Sequence, residues 1–110
     1  MQTPLTPAAA ELIARRFLAL SDPTRLRIVD LLRDRGEASV GELTEALGSS
    51  QQNVSKHLAT LHAEGFVSRR KQGTSTIYAI ADSSVLELCE QVCGGIEAQL
   101  AALGEALGGP

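Results

Sequence analysis

The chain has 110 residues, enough for one domain with a modest core, and 44% of them are hydrophobic, which excludes a globally disordered chain. Aromatic residues make up only 3%, so the core must be aliphatic, a composition that favours helices and a core extended by pairing of two chains. The net charge of −3 speaks against nucleic acid as a sum but not as a distribution: residues 49–80 carry Lys56, Arg69, Arg70 and Lys71 against Glu64 alone, and residues 81–110 carry five acids with no Lys or Arg.

Thr6-Pro7 reads as an N-cap followed by a first helical position, opening a helix to about Leu20 with Leu12, Ile13, Phe17 and Leu20 on one side. Asp22-Pro23 starts a second helix, which carries Leu26, Val29 and Leu32 and ends near Gly36. Ser39-Val40-Gly41-Glu42 matches a capping box, and the short third helix turns Leu43, Ala46 and Leu47 inward before stopping at Gly48. Ser50 caps a fourth helix that runs to about Glu64, with Gly65 as its stop. The period then changes. Residues 66–71 and 75–80 read as two strands joined by a tight turn at Gln72-Gly73-Thr74. Asp82-Ser83 caps a last helix whose apolar stripe is Val85, Cys89, Val92, Ile96, Leu100, Leu103 and Leu107, close to a heptad seam. Gly94 and Gly95 inside it allow either a close helix approach or a break, and Gly108-Gly109-Pro110 reads as a frayed end.

A short helix, a Gly-containing turn and a second helix with a polar outer face make a helix-turn-helix, expected over residues 39–64. At about 100° per residue, Val54, Leu58 and Leu61 fall on one side of the fourth helix and Gln52, Lys56 and Ala59 on the other, flanked by Asn53, Ser55 and Thr60. Gln and Asn can pair with adenine, and Lys56 and the hydroxyls can reach phosphates. An ordinary wet amphipathic helix would have the same polar face. The hairpin favours DNA: a basic run, Arg69-Arg70-Lys71, leading into a Gly turn beside such a helix reads as a wing that can straddle a DNA backbone, the alternative being a solvated, charged hairpin that only protects an edge strand. The fold expected is mainly α with a small β-hairpin, a winged helix-turn-helix in the order α-α-α-α-β-β-α. It occupies residues 1–110 as one domain, with the wing at about 66–80.

The strings ALSDPTRLRIVDLL (19–32), GELTEALGSSQQNVSKHLATLHAEGFV (41–67) and RRKQGTSTIYAI (69–80) resemble the ArsR/SmtB family of bacterial winged-helix repressors, and they cover most of residues 17–80. The resemblance implies a homodimer built from the first and last helices, here about 7–20 and 82–107. It also implies binding to double-stranded operator DNA and release by an inducer, a metal or metalloid ion in most described members. By position it assigns Gln51, Gln52, Asn53, Ser55, Lys56 and His57 to the recognition helix and Arg69, Arg70, Lys71 and Thr74 to the wing.

The sensing site departs from the family's better-known patterns. Residues 37–48 contain no Cys, and the last helix has Asp82 but no His, so neither a third-helix thiol site nor a zinc-type site carries over. His57 and His62 are five apart, roughly 140° around one helix, and cannot grip one ion together. Cys89 and Cys93, four apart, share a face. Three roles are open for them: core packing, soft-ion or metalloid sensing (nickel, zinc, cadmium or arsenite) with Glu90, Glu97 and Asp82 as added ligands, and thiol redox or persulfide sensing. Two cysteines make no disulfide framework, no apolar run has membrane-spanning length, and the N-terminus is unlike a secretory signal, so a cytoplasmic protein is expected. No nucleophile–base pair or phosphate loop is present, so an enzyme is not expected. A dimeric interaction module without its own sensing site, or release through a second regulatory protein, are the alternatives.

Overall fold

The structure, a computed structural model of the chain, describes residues 5–106 and residue 108. The elements run α1 (Pro7–Leu20), α2 (Pro23–Arg35), β1 (Glu37–Ser39), α3 (Val40–Leu47), α4 (Gln51–Ala63), β2 (Val67–Gln72), β3 (Ser75–Ile80) and α5 (Ser84–Ala106). The expected Leu107 and the Gly109-Pro110 end lie outside the described residues. Among those described, no helix is long and apolar enough to cross a membrane.

The helix starts follow the local capping chemistry. Thr6 Oγ1 accepts from the Ala9 amide at 3.1 Å, Asp22 Oδ2 from the Arg25 amide at 3.0 Å, and Ser50 Oγ from the Asn53 amide at 3.1 Å. At Ser39 both halves of the capping box form, the Glu42 amide donating to Ser39 Oγ and the Ser39 amide to Glu42 Oε1.

Two expectations of the sequence need correction. The sheet has three strands rather than two, in the order β1-β3-β2, both pairings antiparallel. The added strand is too short to show an alternation, and its last residue, Ser39, is also the N-cap of α3. The hairpin turn is also tighter than expected. Gln72 pairs with Ser75, so only Gly73 and Thr74 form the loop, and Gly73 takes the φ of +63° that such turns require. In addition, α5 runs unbroken through Gly94 and Gly95.

The core lies where α2, α3 and α4 meet one face of the sheet. Ile28, Val29, Leu32, Leu43, Val54, Leu58, Leu61 and Val85 are all but sealed from solvent, and Ala38, Val67 and Tyr78 complete the cluster from the sheet. Each large aliphatic side chain so buried contributes about 1.5–3 kcal/mol. Paired residues share a face, so Ala38, Tyr78 and Val67 look toward the helices while Glu37, Ala79 and Ser68 look away.

The apolar seam expected on α5 is largely uncovered in one chain. Only Val85 is buried, and every residue from Glu90 to Leu103 is exposed, including Val92, Ile96, Leu100 and Leu103. On α1, Leu12, Phe17 and Leu18 are likewise exposed.

Arg16 ties these parts together. Its guanidinium donates to Asp82 Oδ2 at 2.7 Å and to the Glu64 carbonyl at 3.0 Å, and lies over the Phe66 ring at 4.5 Å from the centroid. The Ser84 hydroxyl and amide, joined by Arg16, hold the Asp82 carboxyl below its ordinary value. A carboxyl with a depressed folded pKa adds stability that is complete above its unfolded value and is lost as pH falls through the folded one. Asp82→Asn is therefore expected to lower the melting temperature at neutral pH, and the difference from wild type is expected to shrink below about pH 4. Thermal melts across pH check this, and a difference undiminished in acid would contradict it.

Candidate nucleic-acid interface

Between α3 and α4 the chain turns in three residues. Gly48 adopts left-handed backbone (φ +64°, ψ +31°) and the Ser49 amide donates to the Thr44 carbonyl. Asn53 Nδ2 donates to Ser49 Oγ at 2.9 Å, so this half-buried amide serves the turn. From there α4 is fixed in rotation by Val54, Leu58 and Leu61, each with no exposure. The opposite side presents Gln52, Ser55, Lys56 and Ala59 to solvent, with Gln51 exposed at the first turn. Of the expected recognition-helix residues, then, Gln51, Gln52, Ser55 and Lys56 are free to meet a ligand in the unbound chain.

His57 is placed differently. Its side chain is 13% exposed, and its Nδ1 sits 3.0 Å from Arg25 Nη1 and 3.8 Å from Asp22 Oδ2. It faces the corner between α1 and α2 rather than the polar side of α4.

The wing sorts its cations by strand alternation. Arg69 and Lys71 fall on the helix-bearing side of the sheet, beyond Val67 toward the tip, and are exposed. Arg70 falls on the far side, where its Nη2 donates to both carboxylate oxygens of Glu37 at 2.9 Å and its Nη1 to Gln72. Glu37 belongs to β1 and reaches Arg70 diagonally across β3. Among the described residues, Lys56, Arg69 and Lys71 pair with no carboxylate, and Thr74 stands exposed at the hairpin tip. Exposed cations without protein partners can each exchange a condensed counterion for a phosphate.

The sequence reading missed Glu37, Arg25 and Arg16. Glu37 could be found only with β1 in hand. Arg25 lies next to the visible Asp22-Pro23 cap, but its pairing with His57 spans 32 positions and leaves no local signal.

Cys89 is half-buried and Cys93 exposed, both unbridged. They border a groove of about 710 Å³ whose other walls include Phe17, Leu26, Val29 and Ile96. Burial, with the Asp30 charge adding, pushes the Cys89 thiol above its ordinary pKa. Cys93 Sγ lies 3.7 Å from Glu97 Oε1. Among the described residues of one chain, no three His, Cys, Asp or Glu side chains come together as a metal-holding group.

A buried aliphatic row beneath a polar helix face, a short preceding helix and a basic hairpin define the winged helix-turn-helix class of regulators. Residues 22–69 match the model of the arsR family of bacterial regulatory proteins. A helix-turn-helix transcriptional regulator of Methanocaldococcus jannaschii is 39% identical over 82 residues, 74% of this chain and 92% of that protein. The arsenical resistance operon repressor of Escherichia coli is 45% identical over 65 residues, 59% of this chain and 56% of that protein. A solved homodimeric winged helix-turn-helix DNA-binding domain from Mycobacterium bovis superposes with a TM-score of 0.76 at 32% identity, covering 91% of this chain and 94% of that one. The chain belongs to the arsR family.

Alanine substitutions separate the two kinds of contact. Lys56→Ala and Lys71→Ala are each expected to reduce the slope of log affinity against log salt by about one for each DNA-bound chain, weakening all DNA sequences alike. Gln52→Ala is expected to leave the slope alone and flatten preference at one or two base positions. Fluorescence anisotropy over a salt series and a set of operator variants reads both.

Proposed function

We propose that the protein is a homodimeric transcriptional repressor that binds double-stranded operator DNA through α4 and the wing and is released by a thiophilic ion, in the cytoplasm. The observation that carries the DNA reading is the outward row Gln52, Ser55 and Lys56, together with Arg69 and Lys71 of the wing, which pair with no carboxylate among the described residues. The reading takes residues 1–110 as one domain with no enzymatic role.

The dimer reading rests on the uncovered apolar residues of α1 and α5. Phe17, Val92, Ile96 and Leu103 are each more than half exposed in a single chain, and a second copy would remove them from water. Glycines at positions 94 and 95 leave the middle of α5 without side-chain bulk where two such helices would approach.

The ion reading rests on Cys89 and Cys93. One chain supplies two thiols on a shared helix face with the Glu97 carboxylate beside Cys93. Closing a site of three or four ligands would draw on the second copy. Paired thiolates favour soft ions, so arsenite and cadmium rank ahead of zinc and nickel. Binding would require both thiols to lose their protons, against the raised pKa of Cys89. A persulfide or redox signal acting on the same thiols is the second reading, favoured by the exposure of Cys93.

Anisotropy on DNA from upstream of the protein's own gene, titrated with arsenite, cadmium, zinc, nickel and a persulfide donor, tests this. Arsenite or cadmium is expected to release the wild type and to leave a Cys89→Ser/Cys93→Ser variant bound. Release of both proteins alike would remove the thiols from the sensing site. Release by the persulfide donor alone would favour the second reading.

A further inference from the structure

His57 lies on the DNA-reading helix, yet its side chain points into the protein. Its partner there, Arg25, uses one planar guanidinium for three contacts. Nε donates to the Ala19 carbonyl, Nη2 to the Leu18 carbonyl at 3.4 Å, and Nη1 meets His57 Nδ1 at 3.0 Å. Leu18 and Ala19 belong to the last turn of α1; the Leu18 carbonyl also accepts from the Ser21 cap amide at 3.0 Å, while the Ala19 carbonyl has no helical amide ahead of it. Arg25 therefore caps the end of α1 with one edge and holds α4 with the other. Arg25 is a permanent donor, so His57 Nδ1 must accept, which places the ring proton on Nε2 and leaves the imidazole neutral. Asp22 Oδ2, at 3.8 Å from the same nitrogen, is the other charged group facing the ring from α2.

Resting on the reading of α4 as the DNA-reading helix, we propose that His57 is a positioning residue that seats this helix on the end of α1 through Arg25, rather than a contact to DNA. Protonation of the ring removes the acceptor at Nδ1, sets two cations against each other, and turns the ring toward Asp22. The hydrogen bonds of Asp22 to the start of α2, with the nearby Arg25 charge, hold its carboxyl below the ordinary range, so it is available as an anion beside the ring. The link between α4 and α1 is therefore complete in the neutral state and broken in the protonated one.

Two variants and three readouts test this with the full-length protein. His57→Asn keeps an acceptor oxygen on Cγ, where Nδ1 is attached; His57→Phe keeps the ring and loses the acceptor. His57→Phe is expected to weaken operator binding by about tenfold, the scale of one hydrogen bond to a charged group. Its salt slope and base preferences should match wild type, and His57→Asn should recover most of the loss. Acid that protonates the ring is expected to weaken wild type relative to His57→Asn. His62 is present in both proteins and cancels from that comparison. In the free wild type, nitrogen chemical shifts should show the Nε2–H tautomer at neutral pH.

A changed salt slope or base preference in His57→Phe would make His57 a direct contact and overturn the proposal. So would parallel pH profiles, an Asn variant as weak as the Phe variant, or a ring protonated on Nδ1 at neutral pH. A wild type that binds no DNA would instead bring down the regulator reading itself. Thermal melts of both variants identify any loss that is simply unfolding.

Discussion

Val54, Leu58 and Leu61 have no solvent exposure, and they set the rotation of α4 about its axis. Once these three are in the core, Gln52, Lys56 and Ala59 have to face outward, because a helix turns about 100° per residue. The composition of the outward row then determines what the helix can meet. One amide, one cation and a methyl group can approach a groove closely, where a row of long charged side chains would hold it off.

α4 is also held in place at two points by polar contacts that lead to α1. At its middle, His57 reaches the last turn of α1 through Arg25. At its end, the Glu64 carbonyl accepts from Arg16 and the Glu64 carboxylate from Arg15. Arg16 continues to Asp82 at the start of α5. The helices that carry the uncovered apolar face and both thiols are thus joined by hydrogen bonds to the helix that carries the outward polar row.

Much of this was legible because the signals are local. Caps at Thr6, Asp22, Ser39 and Ser50 act over three residues, and each forms the hydrogen bond its sequence position implies. The rotation of α4 followed from periodicity alone. What stayed hidden depends on distant partners. β1 exists because Glu37–Ser39 finds an edge of β3, and the removal of Arg70 to the far side of the sheet follows from alternation and from Glu37. His57 was assigned to the reading face by resemblance, although it lies only about 40° around the helix from Leu61. Asn53 flanks the outward row by angle, but its amide is engaged by Ser49 in the turn. The α5 stripe was legible as a pattern, while its exposure in one chain was not.

The central claim, that α4 and the wing together form the DNA-binding surface, is tested most directly by titrating nitrogen-15-labelled protein with operator DNA and following the backbone amides. The largest shifts are expected on residues 51–59 and 69–74, with the exposed half of α5 little changed. Shifts concentrated on α5 with a silent wing would contradict it.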